Sequence, residues 1–125
     1  MKRLALQSFA RCKHGSTAVE FGLLLPAFAS LVVGTLYTGL CVYSATGLHS
    51  AVEQAARCYS VNATLCGSQS ATVTYAQTQY YCVNSPTFTA STASCGHQVS
   101  GTVTVALADM FSSLSIPLSA TACFP

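Results

Sequence analysis

The sequence predicts an α+β protein in which a long N-terminal transmembrane and amphipathic helix packs against a small, disulfide-stapled antiparallel sheet. Three observations predict this fold. An uncharged apolar run occupies residues 21–43, segments that alternate apolar and polar side chains follow it, and five cysteines are spread through the same C-terminal region. Such a run indicates a membrane helix, alternation indicates half-buried strands, and the cysteines indicate disulfides.

Charge is scarce and unevenly placed in this chain of 125 residues. Only 6% of the residues are charged, against about a quarter in soluble domains, which argues against a cytosolic enzyme. The four bases of residues 1–15 give +4, and the one base and three acids that follow give −2. A basic leader before an apolar run is typical of membrane targeting and not of nucleic-acid binding. We divide the chain into a leader (1–15), a helix (16–58) and an exported domain (59–125).

The apolar run is long enough to cross a bilayer once. About 20 helical residues at about 1.5 Å each span a hydrocarbon core of about 30 Å. The basic leader predicts a cytoplasmic N-terminus, so in a bacterium the chain after about residue 45 would face the oxidising periplasm. Apolar residues continue at i, i+3 and i+4 spacing from Cys41 to Tyr59 and predict one helix from about Thr17 to Cys58.

Within the apolar run lies a candidate surface for helix packing. Pro26 removes one backbone donor, a break that membrane helices tolerate when neighbours satisfy the backbone. Ser30, Gly34 and Thr38 then recur every four residues, and small residues at this spacing let helices approach closely. We expect these four residues to lie at a helix–helix contact. The alternative is the scattering of small residues found in any membrane helix.

Three segments of the exported domain alternate as strands do, and they are Thr72–Tyr75, Val99–Val105 and, more weakly, Leu114–Ala120. Pro117 cannot donate to a ladder, so the last strand is expected at an edge. Residues 77–83 fit either a strand or a helix.

The five cysteines from Cys58 onward would all be periplasmic and allow at most two internal disulfides, and the sequence alone does not fix their connectivity. We favour Cys58–Cys66, which ties the helix end to the next loop, and Cys95–Cys123, which a hairpin near residue 109 would bring together. A strand register that set Cys95 directly opposite Cys123 would place Val103 and Val105 opposite proline and serine residues. The second disulfide therefore requires a bulge, or a Cys95 that lies outside its strand. Cys82 is then the odd thiol, either buried or used between subunits.

The sequence offers no catalytic constellation and no metal site. Its three histidines and three acids are scattered, and no nucleophile has an evident base. Cys95-Gly96-His97 lacks a second spaced pair of ligands. We therefore expect neither enzyme activity, nor a metal, nor a cofactor.

The junction between leader and helix places an acid at the edge of the apolar run. A carboxylate carried to mid-membrane costs about 2.5–3.5 kcal/mol, so a counter-charge is expected for Glu20. A cut after Gly15 would give Ser16 an α-ammonium group, whose ordinary pKa is about 7.7–8. Glu20 is one helical turn away, so the two charges could pair within a subunit or between neighbours in a filament. Such a pair fixes register more than it adds stability.

This junction resembles the opening of the TadE-like minor pilins (pseudopilins) of the tight-adherence (Tad, or Flp) type IV pilus family. The resemblance rests on the stretch GSTAVEFGLLLP from Gly15 to Pro26, with Glu20 followed by Phe21, and on the basic leader and apolar run around it. A looser likeness extends to Ala55-Ala56-Arg57.

The resemblance implies cleavage between Gly15 and Ser16 by a prepilin peptidase, and a role for Glu20 and Phe21 in assembly. The implied partners are that peptidase, the Tad inner-membrane platform, other pilins and the lipid bilayer. It further implies a minor subunit in pilus assembly, and hence in surface attachment, because the major Flp pilin is little more than the helix.

Two other classes of protein fit the same composition. One is a secreted disulfide-containing binding protein cut near Ser44-Ala45, and the other is a single-pass membrane binding protein unrelated to pili. The mature N-terminus separates the three, because it would be Ser16, a residue near 46, or Met1 or Lys2.

Overall fold

The computed structural model describes residues 16–107 and 114–125. The chain divides into two compact units, one ending at Leu36 and one, here called the folded unit, running from Tyr37 to Pro125. The elements in chain order are α1 (Ser16–Val61), α2 (Ala63–Cys66), α3 (Gln69–Gln79), β1 (Thr87–Ala93), β2 (Gly96–Leu107) and β3 (Leu114–Phe124). The predicted α+β class, with a long helix and a small antiparallel sheet, is confirmed.

The core of the folded unit is built on one side of α1. Apolar residues at helical spacing share that side, and Leu48, Val52 and Ala55 are completely buried. Each fully buried aliphatic side chain contributes about 1.5–3 kcal/mol. The predicted apolar stripe is therefore the surface that packs on the rest of the unit.

One predicted strand is instead a helix. Thr72–Tyr75 lies inside α3, and its alternation of hydroxyl and apolar side chains was misleading. Ser68 caps the helix by accepting a hydrogen bond from the Ala71 amide at 3.2 Å, which satisfies a donor that a helix start leaves free. Thr72 and Ala76, four residues apart, are the buried residues of α3, so one helical face packs inward.

The sheet has the order β1-β2-β3, and both pairings are antiparallel. β3 is at an edge, as Pro117 predicts. The strand β1 was not predicted, although Phe88 is buried and the residues beside it are exposed, as strand alternation requires. Residues 77–83 form no strand, since α3 ends at Gln79 and an irregular connection follows.

The register between β2 and β3 sets apolar residues opposite each other. Val103 pairs with Leu118, and Val105 pairs with Ile116. This avoids the mismatch that the sequence raised, because Cys95 lies in the turn before β2 and does not pair within the sheet. The turn predicted near residue 109 falls outside the described residues.

Two disulfides join the pairs that the sequence favours. Cys58–Cys66 closes a loop across 8 positions, and Cys95–Cys123 closes one across 28. Loop-closure entropy makes the longer link the more stabilising by about 1 kcal/mol. The first disulfide ties the end of α1 to α2, and the second ties the turn between β1 and β2 to the end of β3.

Gly96 is required where β1 turns into β2. Its φ of 118° lies in the region that residues with a Cβ rarely adopt, and a Cβ there would overlap the backbone of Phe124 and Pro125. Both the turn and the neighbouring end of β3 therefore exclude a side chain at this position.

We expect Gly96→Ala to lower the free energy of unfolding by about 2 kcal/mol, the sum of the left-handed backbone cost and the steric overlap. The measurement is denaturant unfolding of the detergent-solubilised full chain, followed by tyrosine fluorescence. Gly39→Ala is the matched control, because a Cβ on this α1 glycine meets no atom within 4 Å. Equal stability of the two variants would contradict the constraint at Gly96.

Candidate membrane and assembly helix

The first half of α1 is apolar and exposed on all sides. Between residues 17 and 36 every side chain is exposed except Val33, which is half-buried. Phe21, Leu24, Leu25 and Phe28 line an apolar hollow of about 370 Å³ on its surface. A helix that faces water on one side shows an apolar stripe only, so this surface is suited to lipid or to other helices.

This segment has the length that a single membrane crossing needs. The helical stretch Thr17–Val61 contains a window apolar enough to span a bilayer. Residues 17–36, the exposed part of the first unit, number twenty, which gives about 30 Å of helix. The hydrocarbon core of a bilayer is about 30 Å thick.

Hydroxyl side chains of the apolar segment bond to their own helix. Ser30 Oγ donates to the Ala27 carbonyl at 2.8 Å, and Thr35 Oγ1 donates to the Leu31 carbonyl at 2.9 Å. Each hydroxyl therefore brings no unsatisfied donor into lipid, where such a group is costly.

The predicted helix-packing residues lie on this helix. Pro26 is inside α1 without ending it. Ser30, Gly34 and Thr38 are all exposed, and a Cβ at Gly34 would meet no atom within 4 Å. The surface is thus open to a neighbouring helix, and its use in a helix–helix contact stays a prediction.

At the predicted cleavage site, α1 begins at Ser16 and continues through Glu20 and Phe21. Glu20 follows Ser16 by four residues, so it lies about one turn, or about 6 Å, further along the helix. Phe21 is 67% exposed. Gly15 and the leader lie outside the described residues, so cleavage there stays a prediction.

The folded unit includes residues of the apolar run. Tyr37 falls inside the apolar run, yet it is 7% exposed, and its hydroxyl donates to the Val105 carbonyl at 3.1 Å. Cys41, which the sequence places in the apolar stretch, is half-buried in this unit. The high hydropathy of residues 21–43 continues across the start of the folded unit at Tyr37, so hydropathy does not indicate where this unit begins. The tyrosine and the cysteine among the aliphatic residues are what could have indicated it.

One hollow of the folded unit lies between α1 and the end of β3. It measures about 440 Å³, and its lining includes Glu53, Arg57 and Cys123. Cys123 is held in a disulfide, so this hollow contains no free nucleophilic sulfur. In the described ranges, no three His, Cys, Asp or Glu side chains are grouped so that they could hold a metal ion.

These features describe an α+β protein with one helix that could span a membrane, which is consistent with a single-pass membrane protein. The family model described as TadE-like protein matches residues 15–57, which extends from the candidate cleavage site through most of α1. This match confirms the resemblance found in the sequence over that segment, and it is consistent with a TadE-like pilin-type protein. The family is associated with the Tad pilus and is not known as a family of enzymes. No curated protein and no solved structure matches the chain.

We expect Tyr37→Phe to lower the free energy of unfolding by about 1 kcal/mol, because the Val105 carbonyl loses its side-chain donor. Tyr43→Phe is the control on the same helix, since Tyr43 is 53% exposed, and it should change stability by less than about 0.5 kcal/mol. Denaturant unfolding of the two full-length variants makes the comparison. Indistinguishable midpoints would show that the folded unit does not depend on this contact.

Proposed function

We propose that this chain is a minor pilin, or pseudopilin, that takes part in assembly of a Tad (Flp) pilus and thereby in surface attachment. One observation carries the proposal. The family match begins at residue 15, which is the position where the sequence places the cut between a basic leader and an apolar helix. The segment that matches the family therefore begins at the predicted cleavage site.

The first proposed step is hydrolysis of the peptide bond between Gly15 and Ser16 by a prepilin peptidase. This removes the four bases of residues 1–15, which hold the N-terminus on the cytoplasmic side of the inner membrane. The new ammonium group at Ser16 then lies one turn from the carboxylate of Glu20. Release of the basic anchor and neutralisation of the acid both favour transfer of the helix from lipid into an assembly.

The second proposed step is packing of the apolar part of α1 against other pilins, guided by the Tad inner-membrane platform. The exposed small surface at Ser30, Gly34 and Thr38 supports this step, because it lets helices approach closely. Glu20 and Phe21 would set the register of that contact. The exposed apolar side chains of the segment would be covered by neighbouring helices once it leaves the bilayer.

A minor role is supported by the size of the folded unit. Residues 37–125 make up most of the chain, and they would project into the periplasm or from the pilus surface. A bulk subunit must pack repeatedly along a filament, which is easier for a chain that is little more than a helix. The folded unit is better suited to a specialised position, occupied by few copies.

Co-expression with the prepilin peptidase tests the processing step. We expect the envelope form to begin at Ser16, as read by intact mass and N-terminal sequencing. Gly15→Val should leave the leader in place because it adds a branched side chain next to the scissile bond. Gly22→Val is the matched control, since a Cβ at Gly22 meets no atom within 4 Å, and it should be cleaved normally.

A mature N-terminus near residue 46 would instead identify a secreted protein. Retention of Met1 or Lys2 in the unsubstituted chain, with active peptidase present, would identify a membrane protein unrelated to pili. Either result would contradict the proposal.

Glu20→Ala and Glu20→Gln test the assembly step. Both should be cleaved normally yet fail to support pili. Each leaves the Ser16 ammonium group unpaired between the packed helices of the assembly, where breaking a buried ion pair costs about 3–5 kcal/mol. Counting pili by electron microscopy in a strain lacking the native copy gives the readout. Glu53→Ala removes another exposed acid of α1 and should leave pili in normal number. Normal piliation with both Glu20 variants would exclude the charge pair.

A further inference from the structure

Disulfide pairing leaves one half-buried thiol outside the helix α1. Four cysteines of the folded unit are bonded, and among the described cysteines Cys41 and Cys82 have free thiols. Cys82 lies in the connection between α3 and β1. Free thiols in an oxidising compartment form disulfides when a partner sulfur can reach them.

The sulfur of Cys82 rests against the backbone of α1. Its Sγ lies 3.7 Å from the Tyr43 carbonyl oxygen, and a Cβ at Gly47 would approach it to 2.5 Å. Gly47 therefore provides the space in which the thiol sits. Cys82 lines two hollows, of about 330 and 360 Å³, and none of the residues that line them carries a charge.

A buried hydroxyl without a partner lies in the wall of the same region. Tyr80 is 8% exposed, its Oη makes no hydrogen bond, and it lines the 330 Å³ hollow together with Cys82. Burial raises the pKa of Tyr80, and the adjacent Cys82 raises it further. The hydroxyl thus keeps its proton and remains available to donate to a thiolate or to sulfur in a disulfide.

Exposed apolar side chains flank the thiol. Tyr81 is 80% exposed and Val83 is 82% exposed, although both directly adjoin Cys82 in sequence. Tyr43, on the other side of the 360 Å³ hollow, is 53% exposed. An uncharged rim of this kind can face an identical rim without charge repulsion, whereas a rim with one sign of charge could not.

We propose that Cys82 forms a disulfide with Cys82 of a second copy of this chain, so that the protein is a covalent dimer with the two Tyr81–Val83 rims in contact. A disulfide between identical residues can lie on a two-fold axis, the commonest symmetry of homo-oligomers. Two copies anchored in one bilayer share their orientation, so an axis along the membrane normal brings the two Cys82 residues to the same height.

The chemistry is two thiol–disulfide exchanges. The Cys82 thiolate attacks a small disulfide RSSR, forms a mixed disulfide and releases one RS⁻, which takes up a proton. The Cys82 thiolate of the second copy then attacks the Cys82 sulfur of that mixed disulfide and releases the second RS⁻. Two protein thiols are oxidised to one disulfide, and RSSR is reduced to two RSH.

Oxidation of the full chain in proteoliposomes with oxidised glutathione tests the dimer independently of pilus function. The parent carries Cys12→Ser and Cys41→Ser, so that Cys82 is the remaining thiol outside the two disulfides. We expect a species of twice the monomer mass on non-reducing gels and by intact mass spectrometry, which reductant converts to monomer. The same chain with Cys82→Ser should remain monomeric.

Three outcomes would overturn the dimer. They are a monomer that carries only a glutathione adduct, a chain whose Cys82 does not react, and a dimer that survives Cys82→Ser. The first would assign the hollow to small thiols instead of a second copy. Leader cleavage and pilus counts are separate readouts, so failure here leaves the proposed function standing, and failure of that function leaves this test unchanged.

Discussion

Burial of one side of α1 is the constraint on which the folded unit depends. Leu48, Val52 and Ala55 are completely buried, and Val99 and Val103 of β2 belong to the same core cluster. This apolar contact and the two disulfides both stabilise the unit. The N-terminal segment of the same helix has exposed apolar side chains, so one element both organises a folded core and contains a segment that could span a membrane.

The apolar anchor and the proposed pilus function make opposite demands on the same residues. A membrane span must be stable in lipid, whereas a pilin helix must leave lipid for a protein assembly. Hydroxyls such as that of Ser30, which bond to their own backbone, suit both environments since they are satisfied in either. The cleavage proposed before Ser16 would then favour the assembly, because it removes the basic leader and places a positive charge one helical turn from Glu20.

The elements that depend on a single physical signal could be predicted from the sequence. Length and apolar content predict α1, and Pro117 identifies the edge strand because it lacks a backbone donor. The pairing of Cys58 with Cys66, which the sequence favoured but did not fix, is present in the structure. The prediction for Thr72–Tyr75 failed because hydroxyls alternate equally well in a capped helix, where Ser68 supplies the cap.

Other features depend on contacts between distant segments, which local patterns do not contain. Tyr37 belongs to the folded unit because its hydroxyl reaches the carbonyl of Val105, a partner that the sequence around Tyr37 does not identify. The meeting of Tyr80 and Cys82 in one hollow likewise depends on how the chain folds. At the candidate assembly site the residues were identified from sequence, since their spacing along one helix is a local property.

We propose that α1 exchanges lipid for pilin neighbours after the leader is removed. Photo-crosslinking in intact cells, with a photoreactive residue at position 34, tests this exchange. We expect crosslinks to other pilins in cells with active prepilin peptidase, and loss of these crosslinks when the peptidase is inactive. Crosslinks to pilins that persist without cleavage, or their absence in piliated cells that cleave the chain, would contradict it.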